Sequence, residues 1–429
     1  ITVKSDLNKV TSANISVRVT DRFMVAVKND EDWELYYKRN ETGEEIKKTV
    51  KARDIFDLLC RNNWDYAEPG ILYWDRITNW NLVSNDKDFE YAGVNPCAEE
   101  PLPAGGSCLL GAINLAAFVR NGKFDWHDFN RTVNIAVKAL NNVLDEGLER
   151  HPLAEQRKTV RDWRQIGLGI MGLADMLIKL GIEYGSPDSI TLCDAIGYSM
   201  ARNAIVASAD IAGYAGCYDK YNEQYVTTSP FFAEHIKPDD EEAWSFVKAN
   251  GLRNSQLLTI APTGSISTMI GVSGGIEPIF ANYYERTTKS LHGHDEVYKV
   301  YTPIVKEYMD AHGIKDELGL PSYFVTSATI PIKRRIDMQS VWQKHIDASI
   351  SSTVNLPNEA TVDDVKDLYM YAWEKHLKGI TVYRAGCKRA GILNADTKKD
   401  DKPKPESTSS ILPRGSIIEP SNDLIGKKR

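Results

Sequence analysis

Asn95-Pro96-Cys97-Ala98-Glu99-Glu100-Pro101-Leu102 sets an amide, a thiol and a carboxylate at alternate positions, and Ser107-Cys108 follows, with Cys108 eleven positions after Cys97. The prolines at 96, 101 and 103 and the glycines at 105 and 106 bar a helix through this stretch. It therefore reads as strand or loop. In an extended segment alternate side chains share a face, so Asn95, Cys97 and Glu99 are expected to reach one small volume. That volume would hold a hydrogen-bond donor, a soft sulfur centre and a base.

The chemistry open to this sulfur is narrowed by its neighbours. A Cys-His nucleophile wants a histidine, and none lies near Cys97 in sequence. A carboxylate beside a thiol raises its pKa and makes a poor thiolate. The pattern suits a sulfur that works by hydrogen-atom transfer, with Glu99 serving a substrate hydroxyl. Cys108 is either core ahead of Leu109-Leu110 or half of a redox pair. For the second role it needs a mate at disulfide reach. Cys60, Cys193 and Cys217 sit in helical patterns and Cys387 follows a late strand, so none is a convincing mate.

A second candidate site is Ala261-Pro262-Thr263-Gly264-Ser265-Ile266-Ser267, entered from the strand-like Leu257-Leu258-Thr259-Ile260. A strand, a Gly/Ser/Thr turn and a short helix make an anion cradle of backbone N–H groups. It lacks the lysine of a nucleotide-triphosphatase loop. Gly167-Leu168-Gly169-Ile170-Met171-Gly172 has the dinucleotide-binding glycine spacing, but no apolar run of strand length precedes it and Asp188 opens a helix. Close helix packing is the expected use of these glycines. The pairs Tyr36-Tyr37 and Tyr283-Tyr284 are read as packing. His345 and His376 stand isolated on helical patterns, and no metal site is predicted.

The chain has 429 residues, 42% of them hydrophobic, with a formal net charge of -7. The acidic balance argues against broad nucleic-acid binding. No apolar run of about 18 residues and no signal peptide is visible, so no membrane span is expected. Six cysteines without a CxxC make no disulfide framework or zinc ribbon. They fit a reducing cytoplasm. Apolar spacing predicts helices over 21–28, 52–65, 126–149, 168–181, 188–213, 297–312 and 361–377. Strands are expected at 71–74, 257–260 and 379–383. Alternating strands and helices give an α/β class. Residues 1–395 read as one partial catalytic unit, 396–410 as a polar linker, and 411–429 as the truncated start of a C-terminal region. The opening on Ile1 and the stop at Lys427-Lys428-Arg429 are read as the ends of a piece of a longer protein.

These blocks together resemble the catalytic core of ribonucleotide reductases. The resemblance lies in Asn95-Pro96-Cys97-x-Glu99 with Ser107-Cys108-x-Leu-Gly111-x-Ile-Asn-Leu115, in Ile166 to Asp175, in Ala261 to Ser267 with Gly275-Ile-Glu-Pro278, and in Lys378 to Arg384. The last block resembles the adenosylcobalamin-dependent class II branch in particular. The blocks fall in family order across most of residues 10–390. The resemblance implies a ten-stranded α/β barrel with a central finger loop, its N-terminal part missing here. It implies reduction of ribonucleoside di- or triphosphates to 2′-deoxyribonucleotides, with adenosylcobalamin as cofactor.

Carried over by position, Cys97 is the transient thiyl radical that takes the ribose 3′ hydrogen. Glu99 takes the proton of the 3′ hydroxyl, and Asn95 holds substrate hydroxyls. Cys108 is half of the reducing dithiol. Asn95, Pro96, Cys97, Ala98 and Glu99, with Ala261, Pro262, Thr263, Gly264, Ser265 and Ile266, bind substrate, the latter group by its phosphates. Implied partners are deoxynucleotide effectors, a thioredoxin-type reductant, and a second copy of the chain or a separate N-terminal chain. A class I large subunit fed by a radical-generating partner, and a non-catalytic half of a split enzyme, are the alternatives. Class I subunits carry adjacent tyrosines on the late strand, where this chain has Tyr383 alone. Two departures, Ala98 for the usual glycine and the stretch Pro103 to Gly106, are expected to relax the loop.

Overall fold

The structure, a computed structural model, describes residues 1–6, 10, 13–289 and 295–388. The expected linker 396–410 and the segment 411–429 lie outside the described residues. Strand β1 (Ser16–Val19) leads through the N-cap Thr20 into α1 (Asp21–Asn29), and an exposed hairpin follows, β2 (Asp32–Lys38) with β3 (Glu45–Lys51). Then come α2 (Ala52–Tyr66), β4 (Gly70–Tyr73) and α3 (Trp74–Asn79). A short hairpin, β5 (Gly93–Val94) with β6 (Pro101–Leu102), carries the 95–100 loop at its tip. After β7 (Leu110–Asn114) and the small hairpin β8 (Val119–Arg120) with β9 (Lys123–Phe124) lie α4 (Trp126–Leu148) and α5 (Ala154–Trp163). Next are β10 (Gly167–Met171), α6 (Leu173–Leu180) and the long α7 (Pro187–Ala215).

Three short helices, α8 (Glu223–Thr227), α9 (Pro230–His235) and α10 (Glu241–Asn250), precede the turn into α11 (Gly264–Ile270). The hairpin β11 (Tyr283–Lys289) with β12 (Asp295–Tyr301), then α12 (Pro303–His312) and α13 (Ile332–Gln343), lead to β13 (Thr353–Leu356), α14 (Val362–Glu374) and β14 (Gly379–Arg384). No helix among the described residues is long and apolar enough to cross a membrane.

Sequence chemistry explains the long helices. Phe129, Val133, Val137, Leu140 and Leu144 are all buried along one face of α4, the stripe expected of an amphipathic helix. Asp125 caps α4, and Ser186 followed by Pro187 opens α7. Thr361 and Asp364 form a capping box at the start of α14. One core packs α4 and α7 against β7 and β10 through Ile113, Leu168, Ile170, Ile196 and Met200. A second lies under β4, β13 and β14, where Phe23, Phe56, Tyr73, Val354 and Tyr369 meet.

Strand pairings follow one another in a single open series. β1 pairs with β4 in parallel, β4 with β14 antiparallel, and β14 with β13 in parallel. The segment just before β13 bonds to 257–260, with Ile260 N–H on Ser349 O at 3.1 Å and Ser351 N–H on Ile260 O at 2.8 Å. That segment bridges to β10, which pairs with β7 in parallel. Seven strand segments therefore succeed one another, and among the described residues β1 and β7, the two edges, do not pair with each other. The class is α/β as read from the sequence.

Several local expectations are corrected. The predicted helix 168–181 begins as β10, because Gly167 and Gly169 let a neighbouring chain come close. A Cβ on Gly169 would land on the carbonyl oxygen of Thr259. The glycine motif thus lies on a strand rather than after one, and its glycines serve strand packing, not the helix packing expected. The predicted helix 297–312 is strand through Tyr301 and helix only from Pro303. His376, at φ 61, lies past the end of α14, and Cys217 lies past the end of α7. Tyr36 and Tyr37 are exposed on the β2–β3 hairpin rather than packed.

His345 is not isolated. It is fully buried just past α13, its Nε2 is 2.9 Å from Asp194 Oδ1, and its Nδ1 is 2.9 Å from His235 Nε2. His235 Nδ1 donates to the Phe231 carbonyl at 2.8 Å, which leaves His235 Nε2 as an acceptor. Burial pushes His235 down to about 3 from 6.5, so it is neutral in the fold. The unfolded chain takes up a proton there below 6.5 and the folded chain does so only near 3, so acid favours unfolding across that interval. We expect the urea midpoint to fall as pH drops from 6.5 towards 3, with a shallower fall in His235→Gln. An identical slope in that variant contradicts the assignment.

Candidate functional site

The tip of the β5–β6 hairpin is a closed turn, not an extended strand. Asn95 N–H donates to Glu100 O at 3.2 Å, and Ala98 N–H donates to Asn95 O at 3.0 Å. Glu100 N–H donates to the Asn95 side-chain oxygen at 3.0 Å. Pleat alternation therefore does not apply to Asn95, Cys97 and Glu99. The Asn95 side-chain oxygen is thus used within the loop. Cys97 is exposed, whereas Glu99 is only 3% exposed. Glu99 is still near enough that its charge, added to burial, raises the Cys97 thiol.

Ala98 adopts φ 65, the left-handed region that a Cβ disfavours. Replacing the usual glycine by alanine thus strains this loop rather than relaxing it. The stretch 103–106 is not loose either. Gly106 N–H donates to Pro103 O at 2.9 Å, and Thr159 holds the Ala104 carbonyl at 3.0 Å.

One main-chain oxygen fixes the tip to the sheet. The Glu99 carbonyl accepts from Thr259 Oγ1 at 2.5 Å and from Ser349 N–H at 3.0 Å. Thr259 lies in the 257–260 segment that runs directly into the 261–267 turn. There Thr263, at φ 51, immediately precedes α11, and its Oγ1 accepts from Gly275 N–H at 3.0 Å, not from the helix. A Cβ on Gly274 would sit 2.6 Å from the Pro262 carbonyl, so the glycines of 274–275 form the wall on which the turn packs. The other side is open: a Cβ on Gly264 would meet nothing within 4 Å, and Ser265 and Ile266 are exposed. The first-turn amides of Gly264, Ser265 and Ile266 have no intrahelical acceptor, which is what an anion cradle needs. Ala261 and Pro262 supply the lead-in to that turn.

Cys108 is pushed up to about 11, chiefly by burial, with the carboxyls of Glu100 and Glu99 close by. Cys97, Glu99, Glu100 and Cys108 therefore share one electrostatic neighbourhood. None of the six cysteines is in a disulfide. Sequence reasoning missed the groups behind the loop. Glu100 is fully buried, and its Oε1 accepts from Gln256 Nε2 at 2.8 Å. Asp347 accepts from Leu257 N–H at 2.9 Å and Leu258 N–H at 2.7 Å. Lys378 donates to the carbonyls of Trp80, Asp347 and Ala348 at 2.6, 2.6 and 2.5 Å. Burial pushes Lys378 down and Asp347 up. Three short carbonyl contacts need all three ammonium hydrogens, so Lys378 is the charged form. The only signal for these groups in the sequence is a second carboxylate after Glu99 in a proline-bounded loop.

The family model of the ribonucleotide reductase barrel domain matches residues 2–383. The chain is 34% identical over 427 residues to a vitamin B12-dependent ribonucleoside-diphosphate reductase of Thermoplasma acidophilum, covering 95% of this chain and 52% of that protein. It is 32% identical over 401 residues to a protein of the same name from Mycobacterium tuberculosis, covering 90% and 54%. A ribonucleoside-diphosphate reductase subunit alpha of Chlamydia pneumoniae is 28% identical over 392 residues, covering 81% and 36%. The chain spans about half the length of the first two relatives.

Two measurements check the site's physics. Ala98→Gly removes the left-handed strain and is expected to stabilise the protein by about 0.5–1 kcal/mol, read from urea denaturation; an equal loss contradicts the strain. Glu99→Gln removes the charge that raises the Cys97 thiol. Iodoacetamide labelling of Cys97 at fixed mildly alkaline pH should then speed up by about 2- to 10-fold, and an unchanged rate counts against the proximity.

Proposed function

We propose, because this chain belongs to the ribonucleotide reductase barrel-domain family, that it carries the radical site of an adenosylcobalamin-dependent ribonucleotide reductase. The observation that carries the reading is the Glu99 carbonyl held between Thr259 and Ser349. It joins the thiol-bearing tip to the start of the anion-cradling turn. A nucleotide whose phosphates sit on the amides of 264–266 has its ribose directed back toward the hairpin. The names of the Thermoplasma and Mycobacterium relatives support the choice of cofactor.

Cys97, exposed at the tip, and Glu99, buried behind it, fit a bulky radical source on the open side with the sugar on the inner one. When bound, adenosylcobalamin supplies the one-electron oxidation that turns a thiol into a thiyl radical. Cys97 sulfur then accepts the ribose 3′ hydrogen, and Glu99 takes the proton of the 3′ hydroxyl. Asn95 Nδ2 holds substrate hydroxyls while the 2′ hydroxyl leaves as water. Two electrons and two protons come from Cys108 and a second thiol, which end as a disulfide. A raised thiol pKa suits this role, because an S–H and not a thiolate is what hydrogen-atom return needs. The ten-stranded closure belongs to this reading, since β1 and β7 offer edges onto which further strands add. So do a di- or triphosphate substrate, deoxynucleotide effectors, a thioredoxin-type reductant, pairing with a second copy or a separate N-terminal chain, and a cytoplasmic setting.

The test is turnover by the protein that contains this chain, given ribonucleoside di- or triphosphate, a dithiol and adenosylcobalamin. Deoxyribonucleotide is the expected product. Cys97→Ser should reduce it to background, and Cys108→Ser should stop multiple turnovers while leaving cofactor binding intact. A requirement for a metal-containing second subunit in place of adenosylcobalamin overturns the proposal.

A further inference from the structure

Behind the hairpin tip lies a buried acid that the proposed chemistry does not use. Glu100 is fully buried, and its Oε2 has no hydrogen-bond donor. The charges that reach it come from Asp347 and Glu99, both negative. Lys378, the buried cation nearby, faces Asp347 and has its hydrogens on backbone carbonyls. The other groups around Glu100 are Gln256, which already donates to Oε1, and Thr259. Tyr91 and Cys108 lie near it as well. An unpaired carboxylate in such surroundings is costly, and a proton removes the cost.

Hydrogen-bond parity says where that proton points. A hydroxyl has one hydrogen and two lone pairs. The hydrogen of Thr259 Oγ1 is committed to a carbonyl, Glu99 O at 2.5 Å, with Ser349 O at 3.2 Å as its other acceptor. Toward Glu100, Thr259 can therefore only accept. We propose that Glu100 is the neutral acid and a positioning residue: its O–H donates to Thr259 Oγ1, whose hydrogen in turn holds the Glu99 carbonyl. One buried proton then fixes where the Glu99 carboxylate stands. The role deepens the reading of Glu99 as the base and rests on it. Burial, with the charges of Asp347 and Glu99, also pushes the Glu100 carboxyl well above the usual carboxylate range.

Infrared difference spectroscopy of the intact protein, wild type against Glu100→Gln, reads the proton directly and uses neither nucleotide nor cofactor. It therefore succeeds or fails independently of the proposed activity. The expected result is a carboxylic-acid carbonyl band at neutral pH that is lost in Glu100→Gln. That band should shift in Thr259→Val, where the acceptor is gone, and stay in place in Thr259→Ser, where it is kept. Positioning is read from the pH profile of Cys97 alkylation. Glu100→Gln, whose amide N–H replaces the O–H, should keep the midpoint, and Glu100→Leu should move it. Absence of the acid band, a band indifferent to Thr259→Val, or a midpoint that Glu100→Leu leaves in place overturns the proposal.

Discussion

A single backbone acceptor, the carbonyl of Glu99, ties the 95–100 loop to the framework. Two donors converge on it, one from the Thr259 side chain and one from the Ser349 main chain. Both donors sit on neighbouring strand segments, so the tip of the hairpin cannot shift without breaking register there. The segments themselves are held from behind. Asp347 caps the amides of 257 and 258, and Lys378 gathers the carbonyls of 80, 347 and 348. Buried charges of this kind are weak sources of net stability. Their value here is that they define one position for the segments that hold the loop.

The sequence blocks that stand far apart interlock for the same reason. Asp175 accepts from Ser273 N–H at 2.7 Å, and Gly172 N–H donates to Ser273 O at 2.7 Å. Thr263 is bonded to Gly275, and Glu277 accepts from Thr353 N–H at 3.0 Å while pairing with the buried Arg335 at 2.6 Å. The blocks thus bond to one another, and their small residues are where a neighbouring segment comes close. Read singly, the glycine run of 167–172 looked like a nucleotide loop or a helix contact. It packs against Thr259, in the segment that leads into the 261–267 turn.

What could be read from the chain beforehand follows from where side chains report their surroundings. The α4 stripe and the Ser186-Pro187 start of α7 were legible because burial on one face and capping leave a residue pattern. β10 was misread because glycine has no side chain with which to show a period. The β2–β3 hairpin escaped notice because it is exposed on both faces and carries charges throughout. Cys97 and Glu99 lie within electrostatic reach of each other, but through a turn with a left-handed residue and not through the extended segment expected, and the Asn95 side chain bonds within the loop. That Glu100, Asp347 and Lys378 are buried was not legible, since nothing in a linear sequence tells a solvated charge from an enclosed one.

The account stands or falls on whether the hairpin tip and the 261–267 turn serve one substrate. A crystal structure of the chain with a ribonucleoside diphosphate measures this directly. The account predicts phosphate oxygens on the amides of Gly264, Ser265 and Ile266, with the ribose C3′ in contact with the Cys97 sulfur and its hydroxyl on Glu99. Phosphates bound elsewhere, or a ribose turned away from Cys97 while the Glu99 carbonyl remains on Thr259 and Ser349, would contradict it.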